Sequence, residues 1–241
     1  MAEAPAGRSY LIAATPRTGS WLLCDCLLQT GRAGRPAEYG TEQDEATWRT
    51  VYGCASHAAY LARLPELLAT PNGVRGLKAM PWQFEALVAD AGRHTGLGRD
   101  PARTLRAFLG DFVVIRLHRE DRIRQAVSWV RAQRTARWFR LAGSAPVAGG
   151  EGDYCRADIE RALALVDDME RSWAASLRTL PVEVLRLSYE ELDRDLLAAL
   201  GGVAAFLHLA GPLGEIRPRL RRLSDGVSDE WTRRARVDLG A

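Results

Sequence analysis

A polar turn at residues 15–20 combines residue types that bind an anion. It lies between an apolar stretch and an apolar helical pattern, so backbone N–H groups and the positive end of the helix would converge on one point. Within it, Arg17 adds a fixed charge, Gly19 allows a tight bend, and Thr18 and Ser20 offer hydroxyl donors. A helix capped by serine or threonine beside an exposed arginine is the alternative interpretation. The turn lacks the lysine and the spacing of a Walker A phosphate loop.

Short apolar runs predict the strands that must position this turn. The predicted strands are residues 10–14, 74–80, 111–117 and 182–187. The predicted helices are residues 19–31, a helix beginning at Pro81, and residues 121–139, 158–180 and 189–207. A mobile loop is predicted at residues 142–153 and a basic, polar tail at residues 217–237. Strands that alternate with helices predict an α/β fold, in which helices flank a mostly parallel central sheet.

Length and composition predict a single domain spanning residues 1–241. The 33 cationic and 30 acidic residues leave a formal charge of +3, which is too small by itself to indicate a nucleic-acid-binding protein. The apolar runs fall short of the roughly 18 residues that a membrane span needs, and no signal peptide is recognisable. Four scattered cysteines indicate neither a disulfide framework nor a metal site. We therefore expect a cytoplasmic protein with reduced cysteines, no metal and no membrane span.

The turn resembles a motif of a known enzyme family. Residues Pro16-Arg-Thr-Gly-Ser-Trp-Leu-Leu23 are similar to the 5′-phosphosulfate loop of bacterial sulfotransferases of the trehalose 2-sulfotransferase family, whose core is Arg-Ser-Gly-Ser. The resemblance implies a P-loop-like sulfotransferase fold. It also implies transfer of a sulfuryl group from 3′-phosphoadenosine 5′-phosphosulfate (PAPS) to a hydroxyl group, without a metal. The residues that it assigns to the donor's phosphosulfate are Arg17, which is also assigned a catalytic role, Thr18, Gly19, Ser20 and Trp21.

A second segment matches the same family further along the chain. Arg119-Glu-Asp121 followed by Gln125-Ala-Val-Ser128 is similar to the segment that holds the donor's 3′-phosphate, so Arg119 and Ser128 are assigned to that phosphate. Their separation lets an arginine at the end of a strand and a serine two turns into a helix converge on one group. The alternative is that Arg119 is one of many surface arginines and Ser128 a packing residue.

A third segment, near the end of the chain, resembles the part of the family that closes over the nucleotide. It consists of Arg222-Leu-Ser-Asp225 and Trp231. The resemblance assigns Arg222 to the 3′-phosphate. Leu223 replaces the family's usual glutamine, so the neighbouring Arg221 could take that role instead.

The acceptor side of the site is predicted from two further segments. Gly34-Arg-Pro-Ala-Glu-Tyr39 is similar to the family segment that supplies the general base, which assigns Glu38 as the base and Tyr39 as an acceptor contact. By residue type alone, Glu38 would be an ordinary solvated loop residue. Lys78 ends a predicted strand just before Trp82, in a stretch similar to the family's Gly-x-Lys-x-Met-Trp. Both residues are expected near the acceptor, with chance placement the alternative for Lys78.

The implied acceptor is a hydroxylated, sugar-containing molecule, either a carbohydrate or a glycosylated small molecule or lipid. The resemblance also implies a homodimer and no nucleic-acid partner. Two other functions remain compatible with the sequence. One is a nucleotide-dependent phosphotransferase that uses the same loop. The other is a non-catalytic module that binds anions or nucleic acid.

Overall fold

A four-stranded parallel sheet and a separate two-stranded ribbon form the β-structure of the computed structural model, which describes residues 7–39, 42–141, 152–221 and 225–240. The strands are β1 (Ser9–Ala14), β2 (Gly76–Ala79), β3 (Phe112–His118), β4 (Arg140–Leu141), β5 (Val184–Ser188) and β6 (Leu220–Arg221). The helices are α1 (Ser20–Gln29), α2 (Glu42–Val51), α3 (His57–Leu67), α4 (Pro81–Thr95), α5 (Pro101–Leu109), α6 (Arg122–Thr135), α7 (Arg156–Arg178), α8 (Tyr189–Arg194), α9 (Leu196–Phe206) and α10 (Gly226–Leu239). The parallel sheet has the order β2-β1-β3-β5, and β4 pairs antiparallel with β6.

Apolar side chains cover the sheet on both faces. β1 is buried along its whole length, and its residues alternate between two clusters, with Leu11 and Ala13 in one and Tyr10, Ile12 and Ala14 in the other. Helices α3, α4, α5 and α7 complete the first cluster, while α1, α8 and α9 complete the second. Parallel sheets occur almost only where both faces are covered in this way. A third cluster joins α6, α7 and α10.

The predicted α/β fold with its parallel central sheet is confirmed, and each predicted strand occurs within a few residues of its expected bounds. Helix α6 is shorter than predicted, because Ala136 takes a left-handed conformation with φ 53° directly after Thr135. The sequence patterns do not predict α2, α3, α5 or α10. The expected polar tail is wrong in the part that forms α10, since Trp231 and Ala235 are buried there. Most of the loop predicted at residues 142–153 lies outside the described residues.

The strand order places the site at a topological switch point. From β1 the chain passes to β2 on one side and then to β3 on the other, so the carboxyl ends of β1 and β3 lie side by side. Open α/β sheets bind ligands at such points. The turn at residues 15–20 and Arg119 follow those two strands directly. None of the helices described above combines the length and the apolarity that crossing a membrane requires.

Candidate active site

The turn after β1 contains two residues with left-handed backbone conformations. Arg17 has φ 66° and Gly19 has φ 74°, and Thr18 Oγ1 donates a 2.7 Å hydrogen bond to the carbonyl of Thr15. A Cβ atom at Gly19 would lie 2.9 Å from Cδ2 of Tyr189, so both the conformation and the available space require glycine. The left-handed conformation of Arg17 costs about 1–3 kcal/mol of backbone strain. Such strain persists only where neighbouring contacts fix the backbone.

The N-terminus of α1 has no capping side chain within the described part of the chain. Gly19 is its N-cap residue, and the first turn contains no acidic residue. Serine or aspartate side chains, by contrast, cap α3, α5, α6, α8, α9 and α10. The first-turn N–H groups of α1 can therefore bind a ligand, and the helix dipole favours an anion there.

Arg17 joins the turn to α6. Its Nε donates to Ser128 Oγ at 2.9 Å, and its Nη1 donates to the carbonyl of Trp138 at 2.5 Å. Ser128 lies two turns into α6 and 111 positions further along the chain. Both partners are neutral, and no carboxylate of the described residues forms an ion pair with Arg17. Its charge is therefore available to an anionic ligand.

Arg119 follows β3 and contacts the same turn. Its Nη1 donates to the carbonyl of Arg17 at 3.2 Å, and its guanidinium lies 4.4 Å from the ring centroid of Tyr189. Its Nε is 3.8 Å from Glu190 Oε1, which is too far for a hydrogen bond. The structure thus brings together three residues that the resemblance assigns to the donor, because Arg119 and Ser128 both contact Arg17.

Two guanidinium groups lie at this turn, that of the buried Arg119 and that of the partly buried Arg17. Burial lowers the pKa of Arg17 from 12.5 to about 10, and the nearby charge of Arg119 adds to this effect. Burial also lowers the pKa of Arg119, although Tyr189 and Glu190 oppose the change. Like charges held together away from water favour the binding of an anion between them.

A buried hydrogen-bond network fixes the first residues of the turn. Trp173 of α7 donates from Nε1 to the carbonyl of Ala14 at 2.8 Å. Thr15 Oγ1 donates to Glu170 Oε1 at 2.9 Å and accepts from Gln125 Nε2 at 3.1 Å. Gln125 Nε2 also donates to the carbonyl of Pro16, the residue after Thr15, at 2.7 Å. Helices α6 and α7 therefore hold the turn through three consecutive residues.

Glu170 is the negative centre of this network. Its Oε2 lies 2.7 Å from Arg116 Nη2 and 3.1 Å from Arg122 Nη2. Burial opposes ionisation of Glu170, but the two guanidinium groups hold its pKa below the usual value. The carboxylate therefore stays charged and available as the acceptor for the Thr15 hydroxyl.

Glu38 lies beside β2 and forms an ion pair with Lys78. An isolated parallel bridge joins the two residues, and the backbone N–H of Lys78 donates to the carbonyl of Ala37 at 3.0 Å. The Lys78 ammonium donates to Glu38 Oε1, and Gln83 Nε2 donates to Glu38 Oε2 at 2.9 Å. Gln83 Oε1 accepts from the N–H of Met80 at 2.8 Å, which fixes the orientation of its amide. Both oxygens of the predicted base are held, while its side chain stays 18% exposed.

Trp21 connects this cluster to the turn. It is the second residue of α1, and the centroid of its ring lies 4.0 Å from Lys78 Nζ. Trp21 and Trp82 are 39% and 45% exposed, so each presents an aromatic surface to solvent. Tyr39 is buried in the core, and its hydroxyl donates to the carbonyl of Arg35 at 3.0 Å. The structure does not bring the Tyr39 ring to the protein surface.

The remaining predicted phosphate residue, Arg222, lies outside the described residues. Its alternative, Arg221, ends the short strand β6. Asp225 caps α10 and binds Arg131 of α6, with Asp225 Oδ2 and Arg131 Nη2 2.9 Å apart. The hydrogen bonds from Arg131 hold the pKa of Asp225 at about 2. The helix that carries Ser128 therefore also anchors the chain just after Arg222.

Three residues support the site although the sequence analysis does not assign them to it. Gln83 occupies the third position after the N-cap of α4 and bonds the N-cap N–H, but that N-cap is Met80 and not the serine or threonine that marks a capping box in a sequence. Glu170 and Trp173 lie within the long helix α7 and contact β1 and its turn across 155 and 159 positions. No local pattern marks these two residues.

The arrangement is suited to binding an anion, with a partly exposed carboxylate nearby. The arginines and the start of α1 form the anion-binding part, and Glu38 is separated from it by Lys78 and Trp21. Among residues 7–39, 42–141, 152–221 and 225–240, no group of three or more His, Cys, Asp or Glu side chains could hold a metal ion. Fold and site together define an α/β protein suited to group transfer from an anionic donor.

Comparisons with known proteins give the family. The family model described as Stf0 sulphotransferase matches residues 9–238. The trehalose 2-sulfotransferase of Mycolicibacterium smegmatis is 30% identical over 258 aligned residues, covering 95% of each chain. That of Mycobacterium tuberculosis is 30% identical over 262, covering 96% of this chain and 95% of the relative. The chain belongs to the Stf0 sulphotransferase family and is an enzyme that transfers a sulfuryl group.

Proposed function

We propose that this protein transfers a sulfuryl group from PAPS to a hydroxyl group of a carbohydrate or of a glycosylated small molecule or lipid. The hydrogen bond between Arg17 and Ser128 carries the proposal, because it joins the 5′-phosphosulfate turn to the segment assigned to the 3′-phosphate. Arg119 supports it, since it reaches the turn from the neighbouring strand. PAPS carries phosphate groups on both sides of its ribose, and two neighbouring guanidinium groups shielded from water in part or in full suit such a polyanion.

Different residues of this chain would bind different parts of the donor. The first-turn N–H groups of α1 and the Arg17 guanidinium would bind the phosphosulfate, and Arg17 would balance charge on the departing phosphate. Ser128 and Arg119 would bind the 3′-phosphate, since arginine offers paired donors and serine a neutral one. Arg222 is proposed as a further contact on the resemblance alone.

Glu38 would act as the general base. Its carboxylate is partly exposed and held at both oxygens, so it can meet an acceptor in a fixed orientation. It would take the proton of the acceptor hydroxyl while that oxygen attacks sulfur and the bond from sulfur to the phosphate oxygen breaks. A positioned base contributes about 10²–10⁴-fold to rate. As in phosphoryl transfer, positioning and charge stabilisation would supply most of the remaining acceleration.

The exposed rings of Trp21 and Trp82 support a sugar-containing acceptor, because aromatic rings offer large apolar faces with a polar edge. The two relatives are named for trehalose, which makes that disaccharide the first acceptor to test. Lys78 and Tyr39 stay predictions as direct acceptor contacts. The homodimer and the cytoplasmic location implied by the resemblance also stay predictions.

The direct test is incubation of the protein with isotopically labelled PAPS and hydroxylated sugars, trehalose first, read by mass spectrometry. The Glu38→Gln variant should lower kcat at least about 100-fold, because it removes the proton acceptor. Its Kd for adenosine 3′,5′-bisphosphate should change less than about threefold, because the donor contacts stay in place. Glu66→Gln, at an exposed position on α3, is the matched control and should behave as wild type. Near-normal turnover of Glu38→Gln would remove it from the role of base.

Ligand-binding measurements distinguish this function from the two alternative functions. Adenosine 3′,5′-bisphosphate should raise the melting temperature, as expected for a ligand that binds the folded state. A shift with ATP and Mg²⁺ but none with the bisphosphate would instead indicate a phosphotransferase. Salt-sensitive binding of oligonucleotides without any response to the bisphosphate would indicate a nucleic-acid-binding module.

A further inference from the structure

Lys78 is buried beside the candidate base rather than at the protein surface. Its side chain is 0% exposed, its ammonium is paired with Glu38, and the ring of Trp21 covers it at 4.0 Å. The neighbouring thiol of Cys24 adds no competing charge, since burial raises its pKa to about 12. Within the described residues, the charge of Lys78 is therefore balanced by one carboxylate, that of Glu38.

The second oxygen of Glu38 is held by a neutral group. Gln83 Nε2 donates to it at 2.9 Å, and the amide cannot turn over because its oxygen accepts from the N–H of Met80. Protonation of Glu38 would thus cancel the negative charge that faces Lys78 without any other anion of the described cluster replacing it.

We propose that Lys78 is the charge partner of the base and supplies a net positive charge as sulfuryl transfer proceeds; this rests on the function proposed above. Before reaction the Glu38–Lys78 pair is neutral. The proton of the acceptor hydroxyl moves to Glu38 as the oxygen–sulfur bond forms, and the electron pair of the broken sulfur–oxygen bond leaves on the donor phosphate. The pair then carries one positive charge while the phosphate gains negative charge.

The location of Lys78 makes this charge effective. Trp21 is the second residue of α1 and its ring covers the ammonium, so Lys78 packs against the first turn of that helix and is shielded from water. A charge acts more strongly at lower effective dielectric. Ammonium is also a compact point charge, whereas the guanidinium of the other cationic residues is broad and planar.

Substitutions at Lys78 and Glu38 test the proposal with PAPS and trehalose, or whichever sugar the wild type sulfates. Lys78→Gln keeps a hydrogen-bond donor but removes the charge, and should lower kcat about 100-fold, with the Kd for adenosine 3′,5′-bisphosphate within threefold of wild type. Lys78→Arg keeps the charge, and its kcat should be at least about tenfold higher than that of Lys78→Gln. Lys78→Met provides a second neutral variant, should Lys78→Gln fold poorly.

A double variant tells whether Lys78 acts through its charge or only holds Glu38 in place. Glu38→Gln leaves the charge of Lys78 uncompensated, so adding Lys78→Gln should lower kcat at least about tenfold further. A double variant with no further loss would overturn the proposal, as would neutral variants with kcat within threefold of wild type, or a bisphosphate Kd weakened as much as kcat falls. A wild type without transfer activity would overturn the proposed function as well, whereas the other outcomes leave that function standing.

Discussion

Replacing Arg17 by methionine separates two effects of this partly buried charge: its cost to the stability of the folded protein and its contribution to ligand affinity. We expect the Arg17→Met protein to be as stable as wild type, or more stable, yet to have lost most of its affinity for adenosine 3′,5′-bisphosphate. The reason is that the Arg17 guanidinium is partly buried beside a second guanidinium, that of Arg119, and has neutral partners among the described residues. A bound anion would be the group that compensates it.

The magnitude follows from the pKa of Arg17. A fall from 12.5 to about 10 corresponds to roughly 3 kcal/mol, at about 1.4 kcal/mol per pH unit. Since burial disfavours the charged form, this amount destabilises the folded state at every pH below about 10. Methionine removes that cost and also removes hydrogen bonds to Ser128 and Trp138, each contributing about 0.5–1.5 kcal/mol. The free energy of unfolding should therefore change by about 0 to +2 kcal/mol.

Calorimetric titration with the bisphosphate and thermal unfolding measure the two effects separately. Loss of a paired arginine–phosphate contact should weaken binding at least about 100-fold, since hydrogen bonds to charged groups contribute about 1.5–3 kcal/mol each. Arg171→Met, on the exposed side of α7, is the control and should leave both measurements unchanged. A melting temperature lowered by more than about 5 °C, or an unchanged Kd, would refute the reasoning.

Two further substitutions test the geometry around the site. Gly19→Ala should lower the free energy of unfolding by about 1–3 kcal/mol in urea, because its Cβ would meet Tyr189 from a left-handed conformation. Gly201→Ala, in open space on α9, should be neutral or stabilising, and equal stabilities of the two variants would contradict this account. Asp225→Asn should cost about 1 kcal/mol or less at pH 7, because the carboxylate is half exposed. The pKa of Asp225 is lowered from 3.8 to about 2, so its stabilisation is present above pH 3.8 and lost as pH falls through 2. The stability difference between Asp225→Asn and wild type should therefore shrink toward pH 2, and a difference independent of pH would show that the carboxylate charge is not involved.

The parallel sheet and the position of the turn after β1 could be predicted because their signals are local. β1 and β3 are short apolar runs, and the turn combines an arginine, a glycine and hydroxyl groups directly after the first run. The left-handed conformation of Arg17 could not be predicted from its type, because contacts from α6 and the following segment fix its side chain. The role of Glu170 depends in the same way on how α7 packs beneath the turn.

The cluster around Glu38 shows a second limit of sequence analysis. Motif resemblance indicates Glu38 and Lys78 separately, 40 positions apart, but does not indicate that they form an ion pair. Their pairing follows from the bridge that places residues 37–38 beside β2. Helix α10 lacks a local sequence signal for another reason, since many charged residues separate its few apolar ones. Its buried face becomes evident once Trp231 and Ala235 pack against α6 and α7.

The contact between Arg17 and Ser128 spans 111 positions of the chain, and this has a consequence for biosynthesis. During synthesis the turn leaves the ribosome ahead of α6, because Arg17 precedes Ser128 by 111 positions. Until then Arg17 lacks the serine that holds it, and β1 lacks its neighbour β3. A nascent chain can therefore complete this turn only after β3 and α6 have been synthesised and the strands on both sides of β1 have assembled.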